Sequence, residues 1–435
     1  MSSTAAPKAI DAGARAEFVA FVRTVLATLV LTALFVTLTP FQASFEGNVD
    51  AGNLVNQLGY TVLAGIALLC HLAFTERRVA LSLLRPAWIV TLLWIFFSTA
   101  QSLDAGNAAR ALAFTLFAMV AATGALCLPP NVRAFRFALG AAACIAVALS
   151  YFGIVFMPAG AIHSDAGPEG MHVGLWRGVY SHKNVAGAVM ASFFFIGIYL
   201  MRARQWLIGG ALAALSLVFV LQTGSKTAAA LLPAVVLLVM GGRLIGGRIV
   251  PVLVLSLALI VTALATLGSV MIPAINDLLQ LVMPGTTFTG RTDLWRFALA
   301  AADGHLSTGF GFESFWRDGF VTSVEASREL AWDPRGATNA HNGYLDIAIA
   351  TGWPGLALVV LILVVLPFAD FLRSGRDDES RRLADLFLMI LAFGLLNAFL
   401  ESFLFERANP IWVTLWMAVV GLRLQGRHGL SATGP

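Results

Sequence analysis

Residues 249–272 read IVPVLVLSLALIVTALATLGSVMI, 24 consecutive positions without a charged side chain. A bilayer's hydrocarbon core of ~30 Å needs about 20 apolar residues to be crossed as a helix. Lipid offers the backbone no hydrogen-bond partners, so a run of this kind must satisfy itself as a helix. Outward from it, similar runs recur at 18–39, 55–74, 86–103, 110–128, 137–157, 184–201, 206–222, 227–242, 343–369, 383–405 and 409–424. Composition agrees: 58% of the 435 residues are hydrophobic, 12% are charged and the mean hydropathy is +0.82. That is roughly half the charge fraction of a soluble domain. The expected fold is an all-α, polytopic membrane bundle of about twelve transmembrane helices.

Charge sets the expected orientation. With the N-terminus inside, the cytoplasmic segments collect 18 of the 28 basic residues, among them Arg77, Arg78, Arg85, Arg133, Arg136, Arg202, Arg204, Arg243, Arg248, Arg373, Arg376, Arg381 and Arg382. Seven of the remaining ten sit in two long loops, 158–183 and 273–342, and long loops cross irrespective of charge. Both termini are therefore expected in the cytoplasm. The chain divides into helices one to nine (1–272), a large extracytoplasmic loop with short helices (273–342), and helices ten to twelve with a cytoplasmic tail (343–435). The first apolar run is read as a spanning helix, not a cleavable leader. Cys70, Cys127 and Cys144 all lie in apolar runs, so neither a disulfide nor a thiolate metal site is expected. Nothing points to a nucleic-acid partner.

In this topology every even-numbered helix starts at the outer face, where its free N–H groups and positive dipole end favour anions. Three such starts carry basic or imidazole groups: Arg177 and Ser181-His182-Lys183-Asn184, Gly224-Ser225-Lys226-Thr227, and Asn339-Ala340-His341-Asn342. Together they form a candidate phosphate cradle, although each cluster also reads as ordinary caps and interfacial anchors. The Lys226 segment lacks the glycine spacing of a nucleotide-binding P-loop, which is excluded. The large loop holds Arg291, Arg296, Arg317, Arg328 and Arg335 with Trp295, Trp316 and Trp332. Arginine suits a pyrophosphate. The tryptophans suit sugar rings, or equally an interfacial belt.

His341 is the most suggestive single residue, because imidazole accepts a proton near neutral pH and this one precedes a helix start. Asp346 and Glu401 lie in apolar runs, where an acid is expensive enough to be a functional candidate or the structural partner of an arginine. His163, His172 and His305 are read as surface residues.

The segments Gly290-Arg291-Thr292-Asp293-Leu294-Trp295, Gly309-Phe310-Gly311-Phe312, His341-Asn342-Gly343-Tyr344-Leu345 and Gly352-Trp353-Pro354-Gly355-Leu356 resemble, in that order, the signature of the O-antigen ligase/polymerase superfamily. Upstream, Arg177-Gly178-Val179-Tyr180-Ser181-His182-Lys183-Asn184 is similar to a loop of its exopolysaccharide-polymerase branch. The resemblance runs over roughly residues 165–360. It implies a membrane glycosyltransferase of the GT-C kind in the bacterial inner membrane. Such an enzyme works on the periplasmic face, on undecaprenyl-diphosphate-linked oligosaccharide, without metal, nucleotide sugar or other cofactor. A chain-length regulator or export machinery would be its further partners.

The matching positions are His341, Arg291, Lys226, Arg177 and Lys183, with Lys226 standing where the family often has arginine. The implied mechanism holds the diphosphate with Arg291, Lys226 and neighbouring groups including His182. His341 would be the base, Asn342 its orienter or a helix cap, and Glu401 the reserve base. Rival readings are a ligase that passes the glycan to lipid A core, and, from another class, a twelve-helix transporter or lipid-linked-glycan flippase. Transporters place charge near the midplane in paired repeats, whereas here it gathers at one face around one large loop.

Overall fold

A computed structural model of the chain describes residues 6–42, 54–164, 172–317, 321 and 337–428. Arg328, Arg335 and Trp332 lie outside the described residues. Among the described residues the regular structure is helical, apart from one isolated bridge between Ile162 and Trp176.

Each of the twelve apolar runs contains a helix. Among the described residues, eight helices are long and apolar enough to cross a membrane: Gly13–Val36, Leu54–Phe74, Ala105–Cys127, Val132–Phe156, Lys183–Arg202, Lys226–Gly246, Ile249–Met271 and Gly343–Arg373. A ninth is added if Arg77–Leu83 and Pro86–Ala100, bent by 49°, form one span. Candidate spans thus number eight to nine, against an expectation of about twelve. The difference has a physical source. Trp206–Gln222 is one turn shorter than most spans. Asp378–Asn397 and Pro410–Arg427 carry charged ends and are walled in by other helices, with Leu383–Phe399 and Pro410–Gln425 buried throughout. A helix that faces protein on all sides needs no uniformly apolar surface.

Small residues let the helices approach closely. The Lys183 and Trp206 helices form a hairpin in which a β-carbon on Gly197 would lie 2.7 Å from the Gly209 carbonyl. The two ends of the bundle differ in their electrostatics. At one end, three acids are each held by at least two donors. Asp370 meets Arg85 at 2.5 Å and Arg423 at 3.5 Å. Glu379 meets Arg136 at 2.9 Å and the Tyr199 hydroxyl at 2.7 Å. Asp385 meets Arg202 at 2.9 Å and Arg243 at 2.6 Å. These pairs satisfy charges that would otherwise be buried alone.

The opposite end carries the 273–342 region. It holds the helices Pro273–Val282 and Arg291–Ala301 and a small core in which Trp295 and Ala298 of the second helix, with Ala302, Phe315 and Ala340, pack on Leu345 and Ile349 of the Gly343 helix. Trp295 is fully buried and donates Nε1–H to the Ala340 carbonyl at 2.8 Å, so it is neither a sugar platform nor a belt residue.

The Gly343 helix is broken at Gly352, whose φ of 72° and ψ of 176° only glycine adopts readily. The break frees carbonyls that lipid could not satisfy. Neighbouring segments take them: Phe310 and Gly311 donate their N–H groups to Ile349 and Ala350, Ser98 Oγ to Ala350, and Trp94 Nε1 to Thr351, at 2.7–3.0 Å. Gly309 must be glycine at this contact, since a β-carbon would fall 2.3 Å from the Ala350 carbonyl. The Gly309-Phe310-Gly311 and Gly352-Trp353 motifs are thus two sides of one joint, completed by Trp353 N–H on the Leu306 carbonyl at 2.9 Å.

Candidate functional site

The site lies at the end that carries the 273–342 region, where three helix starts and one helix end converge. Gly290 takes a left-handed conformation (φ 84°) and starts the helix on which Arg291 and Trp295 follow one turn apart. That spacing puts both on one face. Trp295 fastens the face to Ala340, and Arg291 reaches across to donate to the Leu400 carbonyl and, at 3.0 Å, to Glu401 Oε1. The same Glu401 oxygen accepts from Asn184 Nδ2 at 2.9 Å. Its other oxygen lies 3.6 Å from His341 Nδ1.

Glu401 is therefore not on a helix. The Asp378 helix ends at Asn397, and the chain turns so that the Ala398 and Glu401 carbonyls accept the Gly343 N–H at 2.8 and 3.2 Å. Asn342, fully buried, accepts the Tyr344 and Leu345 N–H groups at 3.1 Å and donates to the Phe399 carbonyl at 3.1 Å. It caps its helix and ties it to the Glu401 turn. Of its two expected roles, capping is the one the geometry fulfils. His341, in a left-handed conformation (φ 48°), donates its N–H to Asn339 Oδ1 at 2.9 Å.

Burial pushes the Glu401 carboxyl up, but His341 and then Arg291 outweigh it and hold the group below the usual carboxylate range. Glu401 is thus an anion at neutral pH. A carboxylate in that position orients an imidazole and stabilises positive charge on it.

Lys183 starts the helix after the 158–183 loop, and the charges of Glu401, Arg291 and Lys226 all act on its amine. Lys226 is exposed, one residue after the Ser225 cap. Lys183, Arg291 and Lys226 are therefore close enough to act on one another's charge. Arg177 is buried within its own loop, donating to the Tyr180 carbonyl at 3.4 Å.

His182 Nδ1 accepts the Asn184 N–H at 3.2 Å, which leaves its proton on Nε2. Its pKa is pushed down to about 3, chiefly by burial, then by His163. Its ring is therefore neutral at neutral pH. His163 and His172, read from sequence as surface residues, instead pack edge-to-face with His182, the three ring centroids 5.3–5.7 Å apart. His163 is buried and accepts the Lys183 N–H at 3.1 Å. Among the described residues no group of three or more His, Cys, Asp or Glu is arranged to hold a metal ion. Asn184, His163 and His172 touch the candidate residues Glu401, Lys183 and His182, and sequence reasoning had not put them forward as candidates. Asn184 stood inside a quoted motif, whereas nothing local marked the two histidines.

A family model matches residues 211–360, a stretch that contains Lys226, Arg291, His341 and Asn342 and stops short of Glu401. Its description is O-antigen ligase. Residues 211–360, about a third of the chain, are thus similar to the O-antigen ligase family. The chain is also similar to the exopolysaccharide production protein ExoQ of Rhizobium meliloti (strain 1021), with 32% identity over 98 residues. That match covers 22% of this chain and 22% of ExoQ. The chain is accordingly an all-α, multi-pass membrane protein, similar over part of its length to the O-antigen ligase model and to ExoQ.

Proposed function

We propose that the protein is a membrane glycosyltransferase that moves an oligosaccharide from an undecaprenyl-diphosphate carrier to an acceptor hydroxyl, polymerising lipid-linked repeat units. The observation that carries this reading is the convergence of His341, Glu401 and Arg291, from three separate segments, at the end of the bundle where Lys183 and Lys226 also lie. His341 takes the acceptor's proton as the oxygen attacks the anomeric carbon. The proton stays on the ring, and the Glu401 carboxylate stabilises the resulting imidazolium, so it acts behind the base and not as a reserve for it. Lys226, Lys183 and Arg291 offset the charge growing on the departing diphosphate, with His182 as a neutral donor. Attack opposite the leaving group gives inversion.

The proposed topology keeps twelve crossings, with the three interior or shorter helices also traversing the bundle. Both termini are cytoplasmic and the 273–342 region lies outside, in a bacterial inner membrane. An Asp303→Cys protein in a Cys-free background should react with an impermeant maleimide in intact spheroplasts. Labelling only after lysis would reverse the orientation.

Transfer to a lipid A core acceptor is the second reading, favoured by the matched family's description as a ligase. Incubating purified protein with a defined lipid-diphosphate oligosaccharide separates the two. A ladder without added acceptor indicates a polymerase, and product only with added core indicates a ligase. No transfer under either condition would refute both.

A further inference from the structure

Asp346 is an acid in the first turn of the Gly343 helix that the mechanism above leaves unused. Its placement suggests a cap, but Asn342 already accepts the first free N–H groups of that helix. The Asp346 carboxylate turns instead to three other groups. Oδ1 accepts Trp316 Nε1–H at 2.8 Å and Ala340 N–H at 3.0 Å, and Oδ2 accepts the Ser402 hydroxyl.

Two of these partners adjoin the proposed reacting pair: Ala340 directly precedes His341, and Ser402 directly follows Glu401. Ala340 is held at both polar groups, its N–H by Asp346 and its carbonyl by Trp295. The residue beside the imidazole therefore cannot shift without breaking buried hydrogen bonds.

We propose that Asp346 is a positioning residue that clasps the His341 loop to the Glu401 turn and so fixes the imidazole against its carboxylate. This rests on the function proposed above for His341 and Glu401. The clasp places the two side chains in register from opposite strands of chain, and Trp316 adds the 273–342 region as a third anchored segment. Its removal acts on the chemical step, because a displacement of about 1 Å in a reacting group costs up to ~10²-fold in rate.

The test uses the full chain in nanodiscs with an undecaprenyl-diphosphate oligosaccharide as probe. Asp346→Leu leaves all three donors unmatched and should lower kcat at least about tenfold, with KM little changed. Asp346→Asn can still accept from Trp316 and Ala340 through its oxygen and donate to Ser402 through its amide, so it should retain most of the activity. Ser402→Ala and Trp316→Phe each remove one arm and should give intermediate losses of kcat, which keeps the proposal testable if the leucine variant fails to fold.

Hydrogen–deuterium exchange over 338–346 supplies a readout independent of turnover, expected to quicken in Asp346→Leu and not in Asp346→Asn. Unchanged exchange in the leucine and single-arm variants would overturn the clasp. So would an asparagine variant as impaired as the leucine one, since the charge itself would then be in use. If the wild-type protein turned over no lipid-linked donor, the proposed function would fail while exchange still decided whether the clasp exists.

Discussion

Replacing Glu401 by Gln removes one negative charge while keeping an oxygen able to accept from Arg291 and Asn184. In the wild-type protein a positive charge forming on His341 would face a carboxylate 3.6 Å from its Nδ1. Two unit charges at that separation interact by about 4–5 kcal/mol at an effective dielectric constant near 20. The side chains are 27% and 16% exposed, and Arg291 draws on the same carboxylate at 3.0 Å. Solvent and the competing cation should leave about 1.5–2.5 kcal/mol for the transition state. That corresponds to a loss of about 10- to 10²-fold in kcat.

The assay is single-turnover transfer from a lipid-diphosphate oligosaccharide, run on Glu401→Gln, His341→Ala and the double variant. If Glu401 works only through His341, the double variant should be no slower than His341→Ala alone. A full, additive loss in the His341→Ala background would return the proton-accepting role to Glu401. Wild-type kcat in Glu401→Gln would remove the carboxylate from the mechanism.

Arg291→Ala and Lys226→Ala should each strongly lower turnover without loss of membrane insertion, and Lys226→Arg should be the mildest change because it keeps charge and adds a fork; turnover measured beside expression level checks this. Glu401, held below its ordinary range, contributes stability that is present above its unfolded value of about 4.3 and is lost as pH falls through the lower folded value. Melting temperatures at falling pH should therefore show an acid-side decline that Glu401→Gln lessens, and identical profiles would contradict the pairing. Gly352→Ala should destabilise by about 1–3 kcal/mol from backbone conformation alone, with a further penalty because its β-carbon would lie 2.8 Å from the Ser307 carbonyl. A thermal melt in nanodiscs reads this directly.

The helical class was legible because lipid leaves the backbone one local solution, and every apolar run duly contains a helix. The number of crossings was less so. Hydropathy measures how well a helix suits lipid, and the Asp378 and Pro410 helices face protein instead. The run 383–405 likewise hid the helix end at Asn397, since the turn that carries Glu401 is fixed by the Gly343 N–H, some 60 residues away in sequence.

His341, Arg291 and Glu401 were legible as candidates, one by its place at a helix start, one by its motif and one by the expense of an acid in an apolar run. Their convergence was not, because it depends on contacts between distant segments. The histidine cluster shows the same limit: His163 and His182 lie on the two arms of one loop, and no periodic pattern reports that its arms close. Trp295 was misplaced because a tryptophan in a polar loop looks the same whether its ring faces the membrane surface or fills a small core.

The most direct measurement of the central claim is the single-turnover rate of His341→Gln and His341→Arg, taken with the affinity of each for the lipid-linked donor. If His341 takes the acceptor's proton, both variants should lose roughly 10²–10⁴-fold in the chemical step while donor affinity changes little. A His341→Arg protein with near wild-type turnover, or a His341→Gln protein whose whole defect lies in donor binding, would show that the ring holds phosphate instead.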